Sequence, residues 1–324
     1  MSVDGTRHYA ERARADSTGP PASPETADPR SAVPDPLAAD LRDPAVLAAL
    51  EALGAGRIDV LDEVGSTNEQ LRAAVTRQAR GPAPARPWTD LSLLLTGHQS
   101  AGRGRLDRVW TTEPGTALTF SVLLRPAGAG GRPLPTQYFP WLTLLMAAAV
   151  VEALADVAGA GARIKWPNDV LVDGRKVAGL LAGLVLDPHR APAVVLGTGI
   201  NVAQDELPVA TATSVRRATG RDVARAAVLE AVLAAFVPRY RQFCADPAAA
   251  TGPGGPLRRL VEDRMETLGR SVRAELPGGA EPVTGTAVGL GAHGGLLLRD
   301  GAGAEHEVTA GDVVHLRPAA PGKA

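Results

Sequence analysis

Positively charged side chains crowd one short segment of the chain, "HQSAGRGRLDRVW" at residues 98–110. It carries Arg103, Arg105 and Arg108, is interrupted by glycine, and ends at Trp110. Guanidinium groups bind carboxylate and phosphate oxygens in pairs, and glycine lets backbone amides approach a ligand closely. The segment is therefore predicted to be an anion-binding loop, and a solvated surface loop is the simpler alternative.

Four other segments carry polar side chains at the predicted ends of helices or strands. Each also has an ordinary structural interpretation: a helix capping box, a Pro-Asn-Asp turn, an exposed hairpin lysine, or close strand packing. Only their combination indicates a site. The segments are "STNE" at 66–69, "KWPND" at 165–169, "GRKVAGLL" at 174–181 and "GTGIN" at 197–201.

The elements that must position these segments follow from hydrophobic periodicity and turn residues. Helices and strands alternate from Asp43 onward, and an almost wholly apolar helix at 140–159 is expected to cover a sheet. Asp173-Gly174 between two apolar runs predicts a hairpin, and Pro247 to Pro256 mark a boundary. From about Gly269, short runs separated by glycine turns predict a small β-barrel.

Composition excludes several classes of function. The 324 residues carry a formal net charge of -1, so no global positive field favours nucleic acid or an anionic membrane. The single cysteine cannot form an intramolecular disulfide, and the six histidines lack metal-ligand spacing. There is no Gly-x-Ser-x-Gly motif or Walker loop, and the "GLGAHG" pattern at 289–294 precedes a predicted strand, so it is interpreted as a turn.

The termini and the apolar runs predict where the protein is located and how it is divided. Residues 1–44 are rich in Pro, Ala, Asp and Arg without periodicity, which predicts a disordered tail. The apolar run at 141–151 is shorter than the roughly 18 to 20 residues that span a bilayer, so we expect a cytoplasmic protein. The predicted division is a tail at 1–44, a catalytic domain at 45–262, a small β-domain at 266–318 and a tail at 319–324.

Taken in order, "STN", "HQSAGRGRLDRVW", "KWPND", "GRKVAGLL" and "GTGINV" resemble the motif series of biotin protein ligases, also called biotin-[acetyl-CoA-carboxylase] ligases. The resemblance spans about residues 46–318. It implies an α+β fold, in which a mixed sheet backed by helices, related to class II aminoacyl-tRNA synthetases, is followed by an SH3-like β-barrel. It also implies a ligase that forms biotinyl-5'-AMP from biotin and Mg-ATP and then transfers biotin to a lysine of a biotin carboxyl carrier domain.

The same resemblance assigns roles to individual residues, with ATP, Mg²⁺ and biotin as ligands and no residue assigned to the metal. Acyl-CoA or pyruvate carboxylases would supply the acceptor domain, and neither nucleic acid nor membrane is expected as a partner. The catalytic residues would be Lys176, Arg105 and Asp169. Biotin would contact Ser66, Thr67, Asn68, Gln99, Gly102, Arg103, Gly104, Arg105 and Lys176, and ATP would contact Arg105, Arg108, Trp110, Asn168, Lys176 and Asn201.

The implied chemistry accounts for the arginine segment. A carboxylate must approach a triphosphate of like charge, which requires cations at the point of contact. Asp107 departs from the family pattern, which often has glycine there, so Arg108 could pair with Asp107 instead of ATP. Residues from about 102 to 109 are expected to gain order when ligands bind.

Three alternatives remain from the sequence. A lipoate or octanoate protein ligase shares the implied catalytic fold. A biotin-sensing DNA-binding regulator would need a helix-turn-helix domain, and residues 1–45 show no such pattern, which favours the monofunctional form. A binding module without catalysis would not need Lys176 together with the arginines.

Overall fold

The computed structural model describes residues 37–82, 84–105, 108–187, 190–276, 281–309 and 312–315, all within one compact unit. The tail predicted for residues 1–36, the tail at 319–324 and the role of Asp107 lie outside these ranges.

A seven-stranded mixed sheet forms the centre of the larger part of the protein, as the sequence predicted. The strand order is β1-β2-β3-β7-β6-β5-β4, with β1 parallel to β2 and every other neighbouring pair antiparallel. The strands are β1 Ile58–Val64, β2 Ser92–Gln99, β3 Ala117–Leu124, β4 Ala162–Lys165, β5 Asp169–Val172, β6 Arg175–Asp187 and β7 Arg190–Asn201.

Helices cover both faces of this sheet. Helix α2 packs on one face, over a small apolar cluster, and α3 and α5 pack together against the other face, where the main core lies. The sequence predicted that α3 covers the sheet, from its almost wholly apolar character. The helices are α1 Pro44–Ala52, α2 Thr67–Arg80, α3 Pro140–Ala158, α4 Val215–Thr219, α5 Arg225–Ala245, α6 Pro247–Thr251 and α7 Pro256–Asp263, so that α6 and α7 occupy the predicted boundary.

Helix α3 is the core helix of the molecule. With the turn before it, the stretch Thr136–Ala158 is long and apolar enough to cross a membrane, which the shorter run counted in the sequence did not show. In the structure 72% of its most apolar window is buried within the protein. The all-round apolar character of α3 therefore reflects packing between the sheet and α5.

Local signals in the sequence set the ends of several elements. Asp43 accepts a hydrogen bond from the amide of Ala45, and Pro44 occupies the first turn of α1. Asp173 and Gly174 adopt φ values of 49° and 71°, which is the left-handed turn expected of Asp-Gly between β5 and β6. These predictions are confirmed.

The ordered chain begins earlier than predicted. Residues Asp40–Arg42 form a 3-10 helix, and Ala38 and Leu41 are fully buried, so the prediction of disorder is wrong for residues 37–44. Arg225 holds this segment by an ion pair with Asp40 and a 2.8 Å hydrogen bond to the carbonyl of Leu37. The contact was invisible in the sequence because it joins residues 185 positions apart.

A five-stranded antiparallel sheet follows, in the order β11-β10-β9-β8-β12. The predicted turn at 289–294 joins β9 to β10, and its carbonyls at Ala292 and Gly294 accept hydrogen bonds of 3.0 Å from the indoles of Trp141 and Trp166. Two rigid side chains of the larger part thus fix this sheet. Its strands are β8 Ser271–Glu275, β9 Val283–Leu290, β10 Leu296–Arg299, β11 Glu305–Val308 and β12 Asp312–His315.

The single cysteine is buried at the end of α5, near Tyr240 and Asp90. Burial raises the pKa of the Cys244 thiol to about 11, so it is un-ionised at neutral pH. Burial also raises the pKa of Asp90, whose carboxylate accepts a 2.9 Å hydrogen bond from the hydroxyl of Tyr240. This group ties α5 to the segment before β2 and is a packing feature.

Thr198 in β7 allows a test of core packing. Its side chain is 2% exposed and lies on the same face of the strand as the buried Leu196 and Ile200, and its hydroxyl has no hydrogen-bond partner among the described residues. We expect Thr198→Val to raise the free energy of unfolding by about 1 kcal/mol, because an unsatisfied buried hydroxyl is removed at constant shape.

Thr96→Val is the matched control for denaturant unfolding. The hydroxyl of Thr96 donates a 2.8 Å hydrogen bond to the carbonyl of His98, so this variant should lose about 1 kcal/mol. Equal losses in both variants would contradict the assignment of an unsatisfied hydroxyl at Thr198.

Candidate functional site

A pocket of about 840 Å³ lies over β6 and β7, beside the N-terminus of α2. It brings together nearly all the site residues predicted from the sequence, and only Gly102 is missing from its lining. The predicted residues that line it are Ser66, Thr67, Asn68, Gln99, Arg103, Gly104, Arg105, Arg108, Trp110, Asn168, Asp169, Lys176 and Asn201.

Two glycines form a flat floor on which Trp110 packs. Gly179 of β6 and Gly199 of β7 are direct cross-strand partners. A Cβ atom on Gly199 would lie 2.7 Å from the indole of Trp110, and one on Gly179 would lie 3.4 Å from it. The absence of side chains at both positions therefore lets the ring reach the sheet, and its buried Nε1 has no partner among the described residues.

Neutral polar side chains form a connected cluster at the α2 end of the pocket. The amide of Thr67 donates to Oε1 of Gln99 at 2.8 Å. The hydroxyl of Ser121 donates to Asn68 Oδ1 at 2.7 Å, and its oxygen lies 2.8 Å from Thr67 Oγ1. Ser66 also caps α2, since its Oγ accepts a 3.5 Å hydrogen bond from the amide of Glu69. The capping and ligand-contact interpretations are thus compatible. Ser121 was not predicted, because no motif marks it within the mostly apolar strand β3.

The cationic side chains already have partners in the chain without ligands. Lys176 Nζ lies 2.6 Å from Asp169 Oδ1, and Arg103 Nε lies 3.2 Å from Glu69 Oε1. Arg105 donates a 3.3 Å hydrogen bond to Oδ1 of Asn168. An anionic ligand would meet these cations at one place and exchange partners with them.

The arginine segment is a short hairpin in the residues that the structure describes. The amide of Trp110 donates to the carbonyl of Gly102 at 2.9 Å, and the amide of Gly104 donates to the carbonyl of Arg108 at 2.7 Å. A Cβ atom on Gly102 would collide with the carbonyl of Trp110, so Gly102 serves this close backbone approach and does not line the pocket. The gain of order expected for residues 102–109 on ligand binding stays a prediction.

The described residues contain no group of three or more His, Cys, Asp or Glu side chains that could hold a metal ion. Two carboxylates line the pocket, Asp169 and Glu266, and each is paired with a cation: Asp169 with Lys176 and Glu266 with Arg270. Mg²⁺ commonly takes only one or two protein carboxylates together with phosphate oxygens and water. The pocket therefore fits a metal that is brought by a nucleotide.

The two parts of the chain match two known domain families. Residues 74–201 match the biotin/lipoate A/B protein ligase family, and residues 267–316 match the biotin protein ligase C-terminal domain. A biotin--[acetyl-CoA-carboxylase] ligase of Mycobacterium tuberculosis is 36% identical over 278 residues, which cover 82% of this chain and 93% of the relative. The chain belongs to the biotin protein ligase family.

Other biotin protein ligases agree with this assignment. A structure titled biotin protein ligase from Aquifex aeolicus in complex with biotin and ATP is 29% identical, with a TM-score of 0.62, and the match covers 81% of this chain and 99% of that one. The bifunctional ligase/repressor BirA of Bacillus subtilis is 36% identical over 218 residues. That match covers 65% of this chain, which thus spans 62% of the relative's length. The predicted fold class is confirmed.

Residues that line the pocket outside the quoted motifs were missed. They come from β3, the segment before α4, the segment after α7 and strand β12, and no local motif marks them. They include Thr119, Pro208, Val209, Thr211, Ala212, Glu266 and Val314.

The glycine floor gives a testable prediction. Gly199→Ala should reduce the free energy of unfolding by about 1–3 kcal/mol, because the added methyl group overlaps the indole of Trp110. In a double-mutant cycle, Trp110→Ala should relieve most of this cost.

Gly161→Ala is the matched control, since a Cβ there meets nothing within 4 Å. It should change stability by less than about 0.5 kcal/mol. A Gly199→Ala cost that persists in full without the Trp110 ring would show that the floor does not depend on this contact.

Proposed function

We propose that this protein is an ATP-dependent biotin protein ligase. A biotin carboxylate oxygen attacks the α-phosphorus of ATP, the bond to the β-phosphate breaks, and pyrophosphate leaves with biotinyl-5'-AMP remaining. The amine of an acceptor lysine then attacks the biotinyl carbonyl, AMP leaves, and an amide forms. The observation that carries the proposal is the convergence of Lys176 and the arginines with a neutral polar cluster in one pocket.

Charge explains why the first step needs this pocket. Two unit charges 4 Å apart repel by about 4 kcal/mol at an effective dielectric constant near 20. Lys176 is the cation that we assign to both the biotin carboxylate and the α-phosphate, where charge accumulates in the transition state. Its side chain is one-third exposed and lies beside the Trp110 ring, at 5.6 Å from the centroid.

The neutral cluster suits the other end of biotin. A ureido ring offers N–H donors and a carbonyl acceptor without net charge, so it needs acceptors and donors held in fixed positions. We assign this contact to Ser66, Thr67, Asn68 and Gln99, with Arg103, Gly104 and Arg105 closing over the ligand. The hydrogen bonds among Thr67, Gln99 and Ser121 support the assignment because they fix these groups in advance.

The remaining predicted residues are proposed for the nucleotide and for acyl transfer. Arg105, Arg108, Asn168 and Lys176 would contact phosphates or the reacting centre, and Trp110 and Asn201 the adenosine side. Asp169 would orient the acceptor lysine or take its proton. Mg²⁺ would bind with the ATP phosphates and offset their charge, and Asp169 is the pocket carboxylate that we propose to hold it.

We also propose the partner and the location. The acceptor would be a biotin carboxyl carrier domain of an acyl-CoA or pyruvate carboxylase, and the printed name of the Mycobacterium tuberculosis relative supports the first. The burial of α3 within the protein supports a cytoplasmic location. The formal net charge of -1 gives no support to a nucleic-acid partner, and we propose none.

Pyrophosphate exchange into ATP separates biotin from lipoate and tests the proposal. We expect exchange driven by biotin and not by lipoate or octanoate, because residues 267–316 match the C-terminal domain of biotin protein ligases specifically. Labelled biotin should then be transferred to a biotin carboxyl carrier domain. Exchange with lipoate alone would overturn the proposal.

Lys176→Ala should reduce the kcat of biotin-driven exchange by about 100-fold or more, because a cation that acts mainly in the transition state is lost. Biotin affinity, measured by calorimetry, should fall by much less. Lys165→Ala is the matched control, since Lys165 lines the same pocket and is assigned no role at the reacting centre. Comparable kcat losses in both variants would contradict the role given to Lys176.

A further inference from the structure

The backbone of Lys176 is held by a segment that belongs to neither β5 nor β7. The amide of Lys176 donates to the carbonyl of Thr211, and its carbonyl accepts from the amide of Thr213, both at 2.8 Å. Residues 211–213 thus lie beside the start of β6 as a short parallel partner. The position of the lysine therefore depends on how this segment is held.

Asn201 holds the segment from the other side. Its Nδ2 donates a 3.0 Å hydrogen bond to the carbonyl of Thr213, and its Oδ1 accepts a 3.1 Å hydrogen bond from Nε2 of Gln204. The carbonyl of Gln204 accepts a 2.7 Å hydrogen bond from Ser214 Oγ. Gln204 therefore contacts the segment directly through Ser214 and indirectly through Asn201.

The side-chain amide of Gln204 has a hydrogen-bond partner for its Nε2 but none for its Oε1 among the described residues. The residue is 1% exposed and does not line the pocket. A buried unsatisfied acceptor costs about 1–3 kcal/mol. An unbranched apolar side chain would avoid that cost, so packing alone does not explain a glutamine here. The feature that such a side chain could not replace is the N–H donated to Asn201.

We propose that Gln204 is a positioning residue for adenylation. The Nε2 group of Gln204 fixes the orientation of the Asn201 side-chain amide, so that Nδ2 of Asn201 points at the Thr213 carbonyl. This contact in turn fixes residues 211–213, which hold the backbone of Lys176. This inference rests on the proposed function, because the consequence of misplacing Lys176 is a loss of turnover. Gln204 touches no ligand in this scheme and acts only through Asn201, Thr213 and Ser214.

Gln204→Met in the full-length chain tests the proposal by biotin-driven pyrophosphate exchange. We expect kcat to fall by about 10-fold, because small displacements of a catalytic group cost at least this much. The KM for biotin should change by less than about 2-fold, since the ureido cluster lies at the other end of the pocket. Stability should be equal or higher, because the unsatisfied Oε1 is removed.

Amide hydrogen exchange of the same variant reads out the hydrogen bonds directly. The amides of Lys176 and Thr213 should exchange faster than in the wild-type protein, while those of the β2 core should not change.

Gln78→Met is the matched control. Gln78 bonds the backbone of Trp88 at 2.6 and 3.1 Å far along α2, so its loss should lower stability and leave kcat unchanged.

The outcomes separate the two proposals. A wild-type protein without biotin-driven exchange would refute the proposed function. An active wild-type protein with an equally active Gln204→Met variant would overturn the role of Gln204 alone. A Gln204→Met variant that is less stable but retains wild-type kcat and amide exchange would also overturn it, since Gln204 would then serve packing only.

Discussion

The pocket depends on holding several cations together in one lining. Like charges at short range repel, so a partner of opposite charge beside a cation lowers the cost of bringing them together. Asp169 supplies one to Lys176 and Glu69 supplies one to Arg103. Both cations are thus held in ion pairs, and the pair between Lys176 and Asp169 is the more buried of the two.

Glycines on the pocket side of the sheet leave room for the side chains that line the pocket. Gly179 and Gly199 lie side by side on β6 and β7, and Gly197 faces Asn68, where a Cβ would lie within 2.8 Å of its side-chain amide. The tryptophan floor and Lys176 are therefore mounted on two adjacent strands, and Asn68 of the neutral cluster packs against one of them. Rigid strands hold such groups more accurately than loops do.

The parts of this arrangement that were predictable are those with local causes. The capping box at Ser66, the Asp173-Gly174 turn and the periodicity of α3 each depend on residues a few positions apart, and all three were read correctly. The motif resemblance then brought distant segments into one site. The sequence could not reveal the contact of Ser121 with Thr67, because the two residues lie 54 positions apart. It could not reveal the contacts of Gln204 with Asn201 and Ser214 either, because that segment follows neither a helical nor a strand period. The close approach of Gly102 to the Trp110 carbonyl could not be seen in the sequence either, and the assignment of Gly102 to biotin binding stays a prediction.

The salt bridge between Arg225 and Asp40 bears on where the catalytic unit can be cut. A shortened protein starting at residue 45 would lack the buried Ala38 and Leu41, so the apolar surface that they cover would face water. It would also lack the Asp40 carboxylate that pairs with Arg225. The minimal stable fragment therefore has to begin upstream of Leu37, whichever role the preceding residues have.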